Sequence, residues 1–254
     1  MATDTLTDLA AGLADGSVRV IDLTQPLSES TPVLVLPPPF ANTPGLSRED
    51  ISRYDDRGPA WAWTTLTLGE HVGTHFDAPI HWITGRDGED VASAPPARLV
   101  APCAVIDKSA EATADPHYLL TLDDVKAFEA EHGGLPDGGW LFLRTGWDAR
   151  AHDQDAFLNA AHTPGPDVEC ARYLAEAAPI VGFGVETVGT DAGAAHSFDP
   201  AFPIHHLLLG AGKYGLTQLA NLAELPPTGA IAIVAPLKLV DGTGSPSRVL
   251  ALVA

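Results

Sequence analysis

The chain has 254 residues, of which 45% are hydrophobic and 19% charged, and its mean hydropathy of +0.08 is typical of a folded globular protein and excludes a mainly disordered chain. The 33 acidic and 14 basic residues give a formal net charge of −19. Because such a charge repels phosphate backbones and anionic lipid, we expect neither a nucleic-acid partner nor a membrane partner.

The organisation of the chain is simple. No Ser/Gly-rich linker or composition shift divides it, so residues 1–254 are predicted to form one domain. The N-terminal segment lacks the features of a secretory signal, and no run of about 18 apolar residues occurs. The two cysteines, Cys103 and Cys170, are too few for a disulfide scaffold. These features predict a cytoplasmic protein.

The first half of the chain contains few helix signals. Apolar residues at helical spacing predict a helix over residues 6–13, before Gly16, and a strand follows at residues 18–23. Residues 31–60, which contain three consecutive prolines, are interpreted as a long loop. Alternating side chains predict a strand over residues 61–68.

Strand signals dominate the second half as well. A strand is predicted over residues 99–107, and Thr121 and Asp124 form a capping box for a helix that ends at His132 and Gly133. The remaining predicted elements are a helix capped by Asp167 and strands at 140–145, 180–185, 229–240 and 248–253. Since only two or three helices separate six or seven strands, we predict an α/β fold with a mixed, largely antiparallel sheet and few flanking helices.

Four residues of types that bind metals cluster in one short segment of the sequence. His71, His75, Asp77 and His81 lie within eleven residues. Two imidazoles and a carboxylate form the usual ligand set of catalytic Zn²⁺ or Mn²⁺ sites. The alternative is that these histidines are on the surface or are held by structural hydrogen bonds.

The spacing of this segment favours the metal site. Glycine and proline within it disfavour a helix, whereas an extended chain places His75 and Asp77 on one face. A turn at Gly73 can bring His71 back toward the same point. His81 would lie beside the metal without needing to bind it.

The segment resembles a known family. His71-x-Gly-Thr-His75-x-Asp77-x-Pro-x-His81 matches the HxGTHxDxPxH signature of the metal-dependent cyclase family, which includes kynurenine formamidases, isatin hydrolases and trans-dienelactone hydrolases. The similarity extends to further short motifs: Gly189-Thr-Asp191, Phe202-Pro-Ile-His205, Asn221-Leu, Leu225-Pro-Pro-Thr-Gly229, and Ala235-Pro-Leu-Lys238 with Gly244-Ser-Pro246.

The resemblance implies a fold, an assembly and a site. The fold would be a swivelling β/β/α domain, and the protein would form a homodimer or a homotetramer. The metal ligands would be His71, His75 and Asp77. His81 would take and donate the proton, and His205 would orient the substrate.

The resemblance also bears on the number of metal ions. In the formamidases, a later histidine and a glutamate twelve residues beyond it bind a second metal. His205 matches that histidine, but Thr217 stands at the glutamate position, and Gln218 stands there if the register begins at His206. We therefore predict one Mn²⁺ or Zn²⁺ per chain and assign Thr217 and Gln218 to substrate binding.

Aromatic residues suggest a flat substrate. Trp63 and Trp82 lie close to the motif in sequence and could form an aromatic slot together with Phe40, although such residues are also common in cores. The predicted function is a metal-dependent hydrolase that opens a cyclic amide or lactone, with isatin-like rings ranked first. The alternatives are an arylformamidase, a metal-dependent lyase or dehydratase, and a metal-binding protein without catalysis.

Overall fold

The computed structural model describes residues 4–254. The α-helices are α1 (Thr5–Asp15), α2 (Pro96–Leu99), α3 (Ser109–Ala114), α4 (Leu122–His132), α5 (Gln154–Leu158) and α6 (Val168–Glu176). In this range no helix is long and apolar enough to cross a membrane.

Twelve strands lie in the same range. They are β1 (Arg19–Asp22), β2 (Ser47–Asp55), β3 (Gly58–Thr67), β4 (His75–Asp77), β5 (Val100–Asp107), β6 (Leu119–Leu120), β7 (Trp140–Arg144), β8 (Gly165–Pro166), β9 (Gly182–Val185), β10 (Tyr214–Thr217), β11 (Ala230–Pro236) and β12 (Gly244–Val253). The prediction of more strand than helix elements is therefore confirmed.

Seven of these strands form a closed barrel. Its order is β12-β11-β5-β7-β9-β10-β4, the pairing of β4 with β12 closes the ring, and β1 lies outside on β12. Three consecutive junctions, from β5 to β10, are parallel, and the other four are antiparallel. The predicted mixed α/β fold is confirmed, but the closure was not predicted, and "largely antiparallel" overstates a nearly even mixture.

Alternating side chains divide the core into two layers. Cys103, Val105 and Phe142 belong to a cluster contributed by strands all around the barrel. Ala104, with other residues that alternate with these, packs with α4 and α6 in the second cluster. The parallel strands are thus buried on both faces, as expected where helices cover a parallel sheet.

The predicted helix caps are present. Gly16 ends α1 in the left-handed conformation, at φ +81°. Thr121 and Asp124 form the capping box of α4, and the Asp167 side chain accepts a hydrogen bond from the backbone N–H of Cys170 at the start of α6. These local signals predicted the helix ends within a few residues.

The predicted loop over residues 31–60 is only partly correct. Its second half forms β2 and the start of β3, which pair only with each other as an antiparallel hairpin. Charged residues occupy β2 because most of its side chains are solvent-exposed. Without a buried face, the strand lacks the apolar alternation on which the sequence prediction depended.

Glu186 links the carboxyl ends of two neighbouring parallel strands, β7 and β9, by hydrogen bonds. It directly follows β9 and is buried. Its Oε2 accepts hydrogen bonds from the Thr145 N–H at 2.7 Å, the Thr145 hydroxyl at 3.1 Å and the Trp147 N–H at 3.1 Å. Burial, assisted by the nearby Asp148 carboxylate, raises the pKa of Glu186 to about 7.

This raised pKa predicts a pH-dependent stability. Because folding raises the pKa of Glu186, its stabilising contribution is complete below about pH 4.5 and is lost as the pH rises through about 7. Glu186→Gln has no such titration. We expect the free energy of unfolding of the wild type, relative to the variant, to fall by about 3 kcal/mol between about pH 4.5 and 8. Denaturant titrations that give parallel pH curves for the two proteins would contradict this prediction.

Candidate active site

The predicted motif forms a sharp turn followed by the short strand that closes the barrel. Gly73 has a φ of +64°, which glycine adopts without strain. The chain then extends through β4, with His75 and Asp77 on the same face, and a 3₁₀ turn over Pro79–His81 follows. The prediction of an extended motif with a turn at Gly73 is confirmed.

The hydrogen bonds of His75 determine which ring nitrogen is free to bind a metal. Nδ1 lies 2.7 Å from the Gly73 carbonyl oxygen, which can only accept, so Nδ1 carries the proton. The lone pair is therefore on Nε2, which lies 3.4 Å from Asp77 Oδ1. The Thr217 hydroxyl contacts the same ring at 2.9 Å from Nδ1 and 3.2 Å from Nε2. Burial lowers the pKa of His75 to about 4, which keeps the ring neutral.

A chain of hydrogen bonds orients His71 in the same way. The Thr243 hydroxyl donates to Glu70 Oε2 at 2.6 Å, so towards His71 Nε2, at 2.9 Å, it can only accept. Nε2 therefore carries a proton, and the lone pair of a neutral ring lies on Nδ1, 2.8 Å from Asp77 Oδ1. Two hydrogen-bond acceptors this close need a proton or a cation between them.

The donor set fits a divalent cation. The lone-pair nitrogens of His71 and His75 converge on one oxygen of Asp77, and zinc-type bonds of about 2.1 Å place ligand atoms about 3.4 Å apart. Burial disfavours ionisation of Asp77, but the two imidazoles beside it outweigh burial and lower its pKa. A Cβ at position 244 would lie 2.4 Å from His71 Cε1, so only glycine leaves room for this ring.

His81 is part of the same cluster. Its ring stacks on His71 at a centroid distance of 3.9 Å, and one of its nitrogens lies within 4.8 Å of ligand atoms of His71 and Asp77. Neither ring nitrogen of His81 makes a hydrogen bond within residues 4–254. Burial lowers the pKa of His81 to about 3, so the side chain is neutral at pH 7 and one ring nitrogen has a free lone pair.

A second group of rings borders this cluster. His205 lies 5.6 Å from His81 and 4.8 Å from Trp82, measured between ring centroids. Trp82 also packs edge-on against Phe202 at 5.7 Å. The Asp191 carboxylate accepts a hydrogen bond from His205 Nδ1 at 2.5 Å. The residues can therefore bind a cation, accept a proton beside it, and contact a flat ligand.

The comparisons with known proteins agree with this geometry. The family model described as "Putative cyclase" matches residues 21–192, about two thirds of the chain. The chain belongs to this cyclase family. An isatin hydrolase from Roseibium aggregatum is 51% identical, and the alignment covers 99% of this chain and 98% of that protein.

Solved structures of cyclase-family proteins are also similar. The crystal structure of an isatin hydrolase bound to the product analogue thioisatinate has a TM-score of 0.96 and 50% identity, and the match covers 100% of this chain and 99% of that one. Isatin hydrolase A from Ralstonia solanacearum has a TM-score of 0.95 and 49% identity, with both chains fully covered. A kynurenine formamidase from Salinibacter ruber is 31% identical over 76% of this chain and 87% of its own.

Not every predicted residue of this cyclase-family chain lies at the cluster. Trp63 lies in β3, is 56% exposed and packs edge-on against Trp61, and Phe40 is 64% exposed. Neither ring packs against the cluster histidines within residues 4–254, so the structure forms no aromatic slot from them in this chain. Substrate binding by Trp63 and Phe40 therefore stays a prediction.

Thr217 and Gln218 differ in their surroundings. Thr217 is buried and paired with His75 across β10 and β4, and its hydroxyl contacts that ring, so it holds His75 in place; substrate binding by Thr217 stays a prediction. Gln218 Oε1 is buried and has no hydrogen-bond partner within residues 4–254. Because such an atom is costly to leave unpaired, a group from outside the chain is expected to bind it. Ligand binding by Gln218 therefore stays a prediction.

Thr243 and, through it, Glu70 orient His71, and neither was predicted from the sequence. Glu70 adjoins the motif, so a polar partner could have been suspected there. Thr243 lies 172 residues from His71 along the chain, and no sequence pattern links the two. Only the pairing of β4 with β12 brings them together.

This relay predicts a specific loss of metal affinity. Thr243→Val removes the acceptor of the His71 Nε2 proton but preserves the side-chain shape. We expect metal affinity to fall by about 10–100-fold, the usual effect of losing a residue that orients a metal-binding histidine. Metal titration of the apoprotein measures this, with Thr113→Val, at an exposed position in α3, as the control. Equal affinities in the two variants would contradict the role of Thr243.

Proposed function

We propose that this protein is a metal-dependent hydrolase that opens the five-membered ring of isatin-like cyclic amides. The observation that carries the proposal is the convergence of two imidazole lone pairs on Asp77, with an unbonded, neutral His81 beside them. The likeness to isatin hydrolases over the whole chain supports the choice of substrate. His71, His75 and Asp77 would hold the ion, which we propose is one Mn²⁺ or Zn²⁺ per chain.

The chain's own groups account for the proton transfers. A bound divalent cation supplies Lewis acidity, which polarises a carbonyl group and makes water more acidic. His81 accepts the proton of the attacking water and then donates it to the ring nitrogen as the C–N bond breaks. The water oxygen becomes part of the new carboxylate. Trp82, next to His81 and His205, provides an apolar face for the aromatic ring of the substrate.

The test of this proposal is turnover of isatin in water enriched in ¹⁸O. We expect one ¹⁸O atom in the carboxylate of the opened product, since hydrolysis takes that oxygen from solvent. N-formylkynurenine and a dienelactone serve as comparison substrates, and isatin should be preferred. A product without solvent oxygen would favour a lyase, and preference for N-formylkynurenine would favour arylformamidase activity. The proposal would be contradicted if the protein turned over none of the three substrates with either Mn²⁺ or Zn²⁺ bound.

We also propose that two copies of the chain associate through the region between residues 31 and 69. Nine of the 19 exposed large hydrophobic side chains within residues 4–254 lie between Leu34 and Leu66. This region has three arginines and four acidic residues, so it is almost neutral in a chain of charge −19. An isolated two-stranded hairpin is only marginally stable, and a second copy would cover its apolar side chains.

Light scattering on the purified protein tests this association. The wild type should have the mass of a dimer or a tetramer. Trp61→Ser combined with Trp63→Ser should shift it to the monomer, whereas the exposed change Val240→Ser should not. A monomeric wild type at micromolar concentration would contradict the proposal.

Two broader features of the chain remain proposals. A swivelling β/β/α arrangement is supported by the barrel with helices packed on its parallel strands. A cytoplasmic location is supported by Cys103 and Cys170, which are both free and buried.

A further inference from the structure

Asp191 is a buried carboxylate with three hydrogen-bond donors around it. Its Oδ1 accepts from the Ile204 N–H at 2.7 Å. Its Oδ2 accepts from the His205 N–H at 3.2 Å and from His205 Nδ1 at 2.5 Å. Thus Asp191 contacts both the backbone and the ring of one histidine, and every contact is of the kind an ionised carboxylate makes.

The segment that presents His205 has an unusual backbone. Phe202 has a φ of +53°, a left-handed conformation that is costly for a residue with a bulky side chain. A π-helical turn over Ile204–Leu209 follows directly. Both features are found preferentially at functional sites, where surrounding contacts maintain them. The two backbone hydrogen bonds to Asp191 are such contacts.

The hydrogen bonds also determine which nitrogen of the His205 ring is available to a ligand. Because Nδ1 donates to Asp191, Nε2 is the only ring nitrogen left for a ligand, and it makes no hydrogen bond within residues 4–254. The ring lies between His81 and Trp82. Burial disfavours a charged ring, but the bond to Asp191 outweighs burial and raises the pKa of His205. A protonated ring would present Nε2–H as a donor.

We propose that Asp191 is a positioning residue: it fixes Nδ1–H and the orientation of the His205 ring, and its negative charge stabilises the protonated ring, whose Nε2–H donates a hydrogen bond to the substrate carbonyl oxygen and then to the product carboxylate. This inference rests on the proposed function for the identity of the ligand. The effect of Asp191 on the protonation and orientation of the His205 ring does not depend on the proposed function. A donor aimed at the oxygen that gains charge stabilises the transition state more than the bound substrate.

Asp191→Asn tests the role of the carboxylate. The amide keeps one acceptor oxygen for the backbone, but it has no charge to stabilise a protonated ring. It can place an N–H group against Nδ1, which then has to accept, so the ring is neutral and its one proton lies on Nε2, where it is a weaker donor than an imidazolium N–H. We expect kcat/KM for isatin to fall by about 10²-fold or more, mainly through kcat. Binding of the opened product should weaken, while metal content and the unfolding temperature stay close to those of the wild type.

Two comparisons separate positioning from a merely structural role. His205→Gln should lose as much activity as Asp191→Asn, and the double variant should lose no more than either alone, because both changes remove the same hydrogen bond from the His205 ring to the substrate. Asp199→Asn is the matched control, since Asp199 is exposed in the same loop and makes no side-chain hydrogen bond within residues 4–254. It should retain wild-type kcat/KM.

Nitrogen NMR of His205 tests, without any substrate, whether Asp191 keeps a proton on Nδ1. The wild type should show protonated Nδ1, and Asp191→Asn should show unprotonated Nδ1. An unchanged spectrum, losses that add in the double variant, or loss of a second bound metal ion on changing His205 would each overturn the proposal. If the wild type does not open isatin, the proposed function fails, yet the NMR result still tests the action of Asp191 on the ring.

Discussion

His81→Ala is expected to lower the rate of isatin hydrolysis by about 10²–10⁴-fold, the usual contribution of a general acid–base group, and to leave the metal bound. The reason lies in the hydrogen bonds of the cluster. His81 stacks on His71 and makes no hydrogen bond within residues 4–254, and burial keeps it neutral. It can therefore accept and return a proton, whereas the lone pairs of His71 and His75 point toward Asp77.

Steady-state kinetics and elemental analysis on the same preparation measure this effect. His152→Ala is the matched control, because His152 is exposed and makes no hydrogen bond within residues 4–254; it should retain full activity and metal. If His81→Ala loses its metal together with its activity, His81 is a ligand. The proximity of His81 to His71 and Asp77 makes this a real alternative outcome.

His75→Ala is expected to lose both the metal and the activity. The Nε2 lone pair of His75 is held toward Asp77 by the Gly73 carbonyl and by Thr217, so the substitution removes one of the three proposed ligand atoms. Removal of a ligand should cost more than the 10–100-fold in affinity expected when an orienting partner is lost. Activity should fall in proportion to the metal bound.

Excess metal distinguishes the two histidine variants. Raising the concentration of Mn²⁺ or Zn²⁺ should restore part of the activity of His75→Ala, because its defect is in binding. It should not restore His81→Ala, whose defect is in proton transfer. A His75→Ala protein that retains one equivalent of metal at wild-type affinity would contradict the ligand assignment.

Much of the site could be predicted from sequence because its determinants are local. Glycine at position 73 and the two-residue spacing of His75 and Asp77 predicted an extended segment with both side chains on one face, and the structure has this arrangement. The caps of α4 and α6 were predicted for the same reason, since each depends on residues within one helical turn.

The features that were missed depend on contacts between distant parts of the chain. Barrel closure requires the pairing of β4 with β12, which no local pattern reveals. That pairing brings Thr243 to His71, and the loop before the π-helical turn brings Asp191 to His205. Trp63 shows the opposite case: it is near the motif in sequence, but it lies on a hairpin that pairs with no other strand within residues 4–254.

A metal titration of the apoprotein, with isatin hydrolysis and bound metal measured at each point, tests the metal site most directly. We expect no turnover in metal-free protein and a rise that levels off at one equivalent of Mn²⁺ or Zn²⁺ per chain. Full turnover in protein shown to be free of metal would contradict the assignment of His71, His75 and Asp77 as the catalytic metal site.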